Sequence, residues 1–331
     1  MKQRKYLDVL QVYRGIAALV VVVHHTIPSI LYFNKIENPI LSEMSSFGKL
    51  GVDFFFVLSG FIIAYTNLDK PIQVSSYLLR RLTRIYIPYL PIGVFIMVLY
   101  WLMPGMSASD RSFNVFNSLT LFPIGNPALS VAWSLSYELF FYLLFVVCIW
   151  RRKYYHILIF LWCIIFFLSE TSQIKVSSFL FNFYVLEFFI GYVLAYSLVL
   201  NQRNIYFSSV VCILIINYIL LPLPISNITI SIGFSFLIFL SISIRNFRLP
   251  DTNLFMIIGG SSYSIYLIHN PLQSFLVRKF TFLPSDYVVP VVLGIVIVLS
   301  VLLGYLYYFV FEKKLTKLIY DKLEKVCQSY I

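Results

Sequence analysis

The chain has 331 residues, of which 60% are hydrophobic and only 12% charged, where a soluble domain carries about 25% charged residues. With 18% aromatic residues and a mean hydropathy of +0.86, two soluble domains of roughly 150 residues each would have almost no polar surface to turn to water, so the composition describes a polytopic membrane protein. The net charge of +11 does not describe a nucleic-acid binder, which needs Lys and Arg clustered on a polar surface; topology has to explain it.

A membrane-crossing helix needs about 20 mostly apolar residues. The pattern predicts ten, at 8–31, 47–66, 85–103, 132–150, 154–169, 179–200, 205–222, 228–244, 254–277 and 287–310. The fifth and eighth are short, so length alone leaves nine or eleven open. Placing the N-terminus in the cytoplasm puts 19 of the 25 Lys and Arg residues on the inner side, from Lys2, Arg4 and Lys5 through Arg245 and Arg248 to Lys325. Lys35, Lys49, Arg111, Lys175, Arg278 and Lys279 remain outside. Ten crossings with both termini cytoplasmic therefore satisfy the positive-inside rule at every inner connection, and Trp101, Trp133 and Trp150 fall at span ends, where indole rings favour the headgroup region. The expected fold is an all-α bundle of about ten transmembrane helices.

The opening MKQRKY and the apolar run behind it resemble a signal peptide, but Arg14 interrupts the run and no small-residue cleavage site follows promptly, so the segment reads as an uncleaved first span. The four cysteines, at 148, 163, 212 and 327, have no disulfide or metal-site spacing. The outer connection at 104–131, with its Pro, Gly, Ser and Asn, is expected to be an ordered cap or a substrate-facing loop. No inverted repeat of the transporter kind is visible. The reading is one integral membrane domain over 1–331, with no appended soluble domain and no metal.

Ionisable residues inside spans are costly and default to functional hypotheses. Arg14 and His25, 11 residues apart, share one face of the first helix about 16 Å apart along its axis, and His24 points about 100° away. Either they line a polar path, or Arg14 snorkels to phosphate and His25 is a satisfied interhelical hydrogen-bonder. Small residues Gly48, Gly51, Ser59 and Gly60 in the second span permit close helix contact. Arg80, Arg81 and Arg84 stand at the inner mouth of the third span, with Arg80 and Arg84 on one face. That suits multidentate phosphate binding and equally an ordinary contact with anionic lipid. Glu138 lies about two turns into the fourth span, suited to proton transfer or to orienting a histidine, and Glu187 lies at similar depth in the sixth. The ninth span holds Ser262, Tyr263, Tyr266 and His269, with Pro271 predicted to kink it; His269 is either a substrate ligand or a structural group. Glu312, beside Lys313 and Lys314, is placed to pair with the arginine cluster.

Taken together, LDVLQVYRGIAALVVVVHH, GKLGVDFFFVLSGF, RRLTRIYIP, WSLSYELFFY, SYSIYLIHNPL and YFVFE resemble, in order and over nearly the whole chain, the acyltransferase-3 family of integral membrane acyltransferases, which modify sugars of cell-surface glycans such as lipopolysaccharide O-antigen. The resemblance places the family's Arg-x10-His at Arg14 and His25 and leaves His24 as a variable neighbour. Larger relatives carry an additional periplasmic hydrolase-like domain, for which this chain has no room. The resemblance implies acetyl-CoA presented from the cytoplasm as donor, and as acceptor a sugar hydroxyl of a secreted or lipid-linked glycan, at the bacterial cytoplasmic (inner) membrane.

On that basis His25, tuned by Glu138, is expected to act as base or transient acyl carrier, and Arg14 to hold a donor phosphate or the oxyanion. Arg80, Arg81 and Arg84 are expected to grip the donor's phosphates, and Tyr263, His269 and Trp133 to contact the acceptor. Membrane lipid is the expected surrounding partner, and no nucleic acid is expected. The rival reading is a proton-coupled transporter or flippase of lipid-linked sugars, with Arg14, His25, Glu138, Glu187 and His269 lining its path. The arginine triplet and the lack of inverted repeats discriminate against it.

Overall fold

The structure, a computed structural model, describes residues 7–103, 112–171, 179–220, 225–243, 249–250 and 252–329. Lys2, Arg4, Lys5, Arg111, Lys175, Arg245 and Arg248, which carry part of the charge sorting, lie outside the described residues, as do residues 104–111 of the outer connection. Helices follow one another as α1 (Leu7–Phe33), α2 (Pro39–Ser46), α3 (Leu50–Asn67), α4 (Val74–Leu102), α5 (Val115–Thr120), α6 (Trp133–Trp150), α7 (Arg152–Thr171), α8 (Phe183–Val199), α9 (Arg203–Leu220), α10 (Ile225–Ser243), α11 (Leu254–Gly260), α12 (Ser262–Lys279), α13 (Ser285–Tyr307) and α14 (Thr316–Ser329). A π-helical stretch, Tyr308–Leu315, joins the last two. No strand occurs among the described residues.

Every predicted apolar segment is helical. By length and apolarity six helical segments can cross a membrane: Asp8–Phe33, Pro39–Asn67, Val74–Leu102, Ser130–Trp150, Arg152–Ser169 and Asp286–Lys325. Phe183–Val199 and Asn227–Ile242 are apolar but shorter. The chain is thus all-α and multi-pass.

The helices depart most from the sequence reading in the third and ninth segments. The third segment begins at Val74 rather than 85, because nothing between Pro71 and Arg84 breaks a helix; Arg80, Arg81 and Arg84 consequently sit inside α4. The ninth divides into α11 and α12 at Ser261. There, a Cβ on Gly259 would collide with the Gln11 carbonyl, so α1 presses closest where side chains are absent. Pro271 lies within a helix that runs on to Lys279.

The chain forms two compact units. The first comprises 1–52, 79–136 and 246–331. In it α1 packs against α2, α11, α12 and α13, and α11 and α12 run alongside α1 in the same direction. Gly15 meets Gly259, His25 meets His269, and the Arg278 guanidinium stands 5.0 Å over the Phe33 ring. Gly48 and Gly51 abut His24 and the Ala17 carbonyl, which is the close helix contact that small residues allow.

Within this unit the described part of the connection after α4, from residue 112, folds back along α4, where the hydroxyls of Tyr86 and Tyr89 donate to the Thr120 and Ser118 carbonyls. Tyr89 is 13 residues, or about 20 Å, from the end of α4 at Leu102. Irregular backbone placed so far along a crossing helix must satisfy its polar groups internally, and its asparagines and serines do this. Asn114 caps α5 by accepting from the Asn117 amide, Asn117 donates to the Gly125 carbonyl, and Ser118 accepts from the Ala128 amide. Gly125 turns with φ at 71°, in the left-handed region that glycine adopts without a Cβ clash. The connection then reaches α12: Ser130 donates to Asn270, and Tyr266 donates to the Val131 carbonyl.

The second unit, 53–78 and 137–245, is an aromatic core. Phe141 stacks on Phe188 at 4.6 Å, and Trp162 on Phe166 at 5.1 Å. Gly60 of α3 lies against the Phe188 carbonyl, and Gly191 of α8 against the Val57 carbonyl, so the two helices cross where neither has a Cβ. Glu187 is fully buried here and accepts from Ser231 Oγ at 2.8 Å.

Candidate active site

Two histidines from helices far apart in sequence meet in the first unit. The rings of His25 on α1 and His269 on α12 have centroids 5.3 Å apart, and His24 lies 4.9 Å from His25 and within electrostatic reach of His269. His24 is held aside, with its Nδ1 2.6 Å from the Ser45 carbonyl and its Cβ against Gly48. This agrees with the helix-face separation of the neighbouring histidines.

His269 is 0% exposed. Its Nδ1 lies 2.7 Å from the Tyr266 carbonyl and 3.3 Å from the Ile265 carbonyl. A carbonyl only accepts, so in the neutral ring Nδ1 carries the hydrogen and Nε2 presents its lone pair. That Nε2 is buried with no hydrogen-bond partner. Buried polar atoms are nearly always paired, and the group that satisfies a lone pair at this Nε2, beside a second imidazole, is a hydrogen-bond donor such as a hydroxyl.

A charged cluster lies on the same helices, toward the start of α12. Glu312, in the π-helical stretch, accepts from Ser264 Oγ at 2.9 Å and is within electrostatic reach of Arg84 and Arg14. Arg14 also acts on Tyr308. Ser264 and His269 are five residues apart, about 7.5 Å along α12, so the arginine–glutamate cluster and the histidine pair occupy successive levels of one helix. An extended Arg14 side chain lets α1 contribute to both. The Tyr263 hydroxyl donates to the Ile85 carbonyl at 3.1 Å and ties α12 to α4 one residue beyond Arg84. Tyr307 likewise ties α13 to α4 through the Pro88 carbonyl.

The remaining predicted residues are spread around this core. Arg80 is exposed, with its guanidinium 5.8 Å from the Tyr320 ring of α14, and Arg81 is half-buried. Trp133 is half-buried at the first residue of α6. Glu138 belongs to the second unit and accepts a hydrogen bond from Tyr142, one turn along its own helix. Among the described residues no cluster of three or more His, Cys, Asp and Glu side chains is arranged to hold a metal ion.

Two features were missed from sequence. Ser264, the hydrogen-bond partner of Glu312, reads as one of several serines in α12. Gln273, 5% exposed and lining a cavity of about 870 Å³ between α4, α12 and the folded-back connection, carried one signal only, its i+4 spacing from His269.

The family model described as an acyltransferase domain matches residues 5–309. The acyltransferase MdmB of Streptomyces mycarofaciens is 30% identical over 151 residues, covering 42% of this chain and 38% of that relative's length. No solved structure matches the chain. With the family model spanning nearly the whole sequence, the chain belongs to the acyltransferase-3 family of membrane acyltransferases.

Proposed function

We propose that the protein is a membrane O-acyltransferase that moves an acetyl group from cytoplasmic acetyl-CoA to a sugar hydroxyl of a lipid-linked or cell-surface glycan. The observation that carries the reading is the His25–His269 pair with its buried, unpartnered Nε2, in a chain whose family model is an acyltransferase.

The acceptor oxygen bonds to the thioester carbonyl carbon while its proton passes to the imidazole of His25. Collapse of the tetrahedral adduct breaks the carbon–sulfur bond, and the proton returns to the departing thiolate as free thiol. His269 Nε2 accepts a hydrogen bond from the acceptor and orients it. Arg14 faces the developing oxyanion or a donor phosphate, where a guanidinium stabilises charge without reorganising. Arg80, Arg81 and Arg84 hold the donor's phosphates, with Glu312 fixing the direction of Arg84 and Arg14. Glu138 is retained as the charge that tunes His25, and Tyr263 and Trp133 as residues bordering the acceptor.

The reading includes ten crossings with both termini in the cytoplasm of a bacterial inner membrane. The parallel run of α1 and α12 supports the count. Two crossing helices that point the same way need an odd number of crossings between them. The long apolar helices in that interval, those ending in α3, α4, α6 and α7, number four. Parity therefore requires an odd number of further crossings from α8, α9 and α10, and ten crossings in all use all three.

The test is transfer of label from acetyl-CoA by the purified full chain in lipid nanodiscs. His25→Ala is expected to lower transfer by about 10²–10⁴-fold while leaving the protein folded. Full acetylation by that variant sinks the mechanism, and saturable sugar translocation without acyl transfer favours a transporter instead.

A further inference from the structure

Where the second unit meets the cytoplasm in the proposed topology, the turn from α3 to α4 and the turn from α6 to α7 enclose a cleft of about 520 Å³. Lys70 and Arg152 line it together with Gln73, and among the described residues that line it none is acidic. Asp69, beside Lys70, is exposed and does not line the cleft. Arg152 is half-buried and built into the wall, with its Nη2 donating to the Leu68 carbonyl at 2.6 Å. A guanidinium has five N–H donors, so one bond spent on the protein holds the group still and leaves its fork able to grip a phosphate. Gln73 and Arg152 also stand at the starts of α4 and α7, where the first N–H groups of a helix have no partner within it and favour an anion. None of these groups has a part in the acyl-transfer reading.

The rest of the wall is different in kind. Phe145, Cys148 and Ile149, in the last two turns of α6, give the cleft an apolar side, and the Cys148 thiol is already turned to the Tyr192 hydroxyl at 3.8 Å. At the same level Trp150 and Tyr154 are exposed, with rings 6.0 Å apart, an aromatic pair of the kind that sits among lipid headgroups. A ligand that suits both sides carries an anion at one end and hydrocarbon at the other. Free phosphate and glycerol phosphate leave the apolar side unused. A zwitterionic lipid brings a quaternary ammonium to a place with two cations and no carboxylate to receive it. We infer that this cleft binds one anionic glycerophospholipid of the cytoplasmic leaflet, with its phosphate on Lys70 and Arg152 and the first carbons of its chains against Phe145 and Ile149. The assignment stands independently of the acyl-transfer chemistry and adds a lipid site to the second unit.

The experiment titrates the full chain in detergent micelles with phosphatidylglycerol or phosphatidylcholine of the same chains and counts retained lipid by native mass spectrometry. The expected result is one phosphatidylglycerol held per chain at concentrations where phosphatidylcholine is not. Arg152→Gln should weaken that binding at least tenfold, the worth of a charge-assisted hydrogen bond. Lys70→Gln should weaken it about fivefold, the worth of one cation near a headgroup; Lys70 is exposed, so this variant tests the site without disturbing the fold. Lys153→Gln removes an equally exposed charge next to Arg152 that does not line the cleft, and should leave binding unchanged. Equal retention of the two lipids overturns the site. So does an equal loss in Lys70→Gln and Lys153→Gln, which is the mark of diffuse attraction to basic loops. Displacement of the lipid by glycerol phosphate at equal concentration assigns the cleft to a soluble phosphate, and displacement by acetyl-CoA assigns it to the donor; either result overturns the lipid assignment.

Discussion

His269 in the first unit and His156 in the second are both imidazoles on apolar helices among tyrosines, and they differ in what meets Nε2. In His156 it lies 2.8 Å from the Tyr192 hydroxyl, with the Tyr196 ring edge-on at 4.8 Å, and Tyr192 also contacts Cys148 Sγ at 3.8 Å. In His269 the Nδ1 side is fixed by backbone and Nε2 is left without a partner. The carboxylates of the two units differ in a related way. Glu312 serves two arginines from two other helices, whereas Glu138 is engaged by a tyrosine one turn away. Of the two histidines, the one whose Nε2 is not used by its own neighbourhood is assigned to chemistry, and the one whose Nε2 is already used by Tyr192 is assigned to packing.

The sharpest way to break this contrast is to remove the two histidines that meet. His25→Ala is expected to lower transfer by about 10²–10⁴-fold, the range for loss of a general base, and His269→Ala by about a hundredfold. His269→Gln, which offers a carbonyl acceptor in a similar place, should recover part of that loss if orientation of a hydroxyl is what His269 provides. Labelled acetyl transfer at saturating acetyl-CoA measures all three. Equal activity of His269→Ala and the unsubstituted protein would remove the reason for distinguishing it from His156.

Much of this architecture was legible in the chain and part of it was not. Among the described residues the expected apolar windows are helical, and six helical segments are long and apolar enough to cross a membrane, because in hydrocarbon the backbone must satisfy its own hydrogen bonds and a run of about 20 apolar residues has few alternatives. Arg14 and His25 could be placed on one face by 3.6-residue arithmetic alone. The meeting of His25 with His269 was out of reach, since it depends on α11 and α12 lying parallel to α1, and that follows from glycine contacts such as Gly259 on Gln11 rather than from any local pattern. The fold-back of the 112–131 connection was hidden for another reason. Its Asn, Ser and Gly residues are those of any surface turn, and only the Tyr86 and Tyr89 hydroxyls show that the turn lies against the middle of α4. The helical start at Val74 was missed because the polar VSSY stretch lowers apparent hydropathy without breaking a helix.

The next effect is on the donor side, where the comparison is between the arginine that shares Glu312 and the one that does not. Arg84→Ala removes a charge-assisted contact worth about 1.5–3 kcal/mol, so the KM for acetyl-CoA is expected to rise about 10–100-fold with acceptor KM unchanged. Arg80→Ala should raise it less, because Arg80 is exposed and its contact with the Tyr320 ring is screened by solvent. Titration with labelled acetyl-CoA at two salt concentrations separates the two, since the exposed contribution should shrink at high salt and the half-buried one should persist. A reversal of that order would place the phosphate grip at the exposed end of the cluster.

The smallest effects decide how cleanly the two units divide their work. Glu138→Gln keeps the side chain's shape and its ability to accept from Tyr142, and removes only the charge proposed to tune His25; kcat is expected to fall about tenfold, at the lower end of what a positioned charge contributes to proton transfer. His156→Phe replaces an imidazole already used by Tyr192 with a ring that fills a similar space. It should leave kcat within about twofold and lower stability by about 1 kcal/mol, the net worth of one hydrogen bond, measured as a shift in thermal unfolding of the nanodisc-embedded protein. If Glu138→Gln behaves like His156→Phe, the second unit's carboxylate is structural and the chemistry belongs to the first unit alone. If His156→Phe instead loses activity on the scale of His25→Ala while remaining folded, a satisfied hydrogen bond is no guide to a bystander, and the aromatic unit has a part in the reaction.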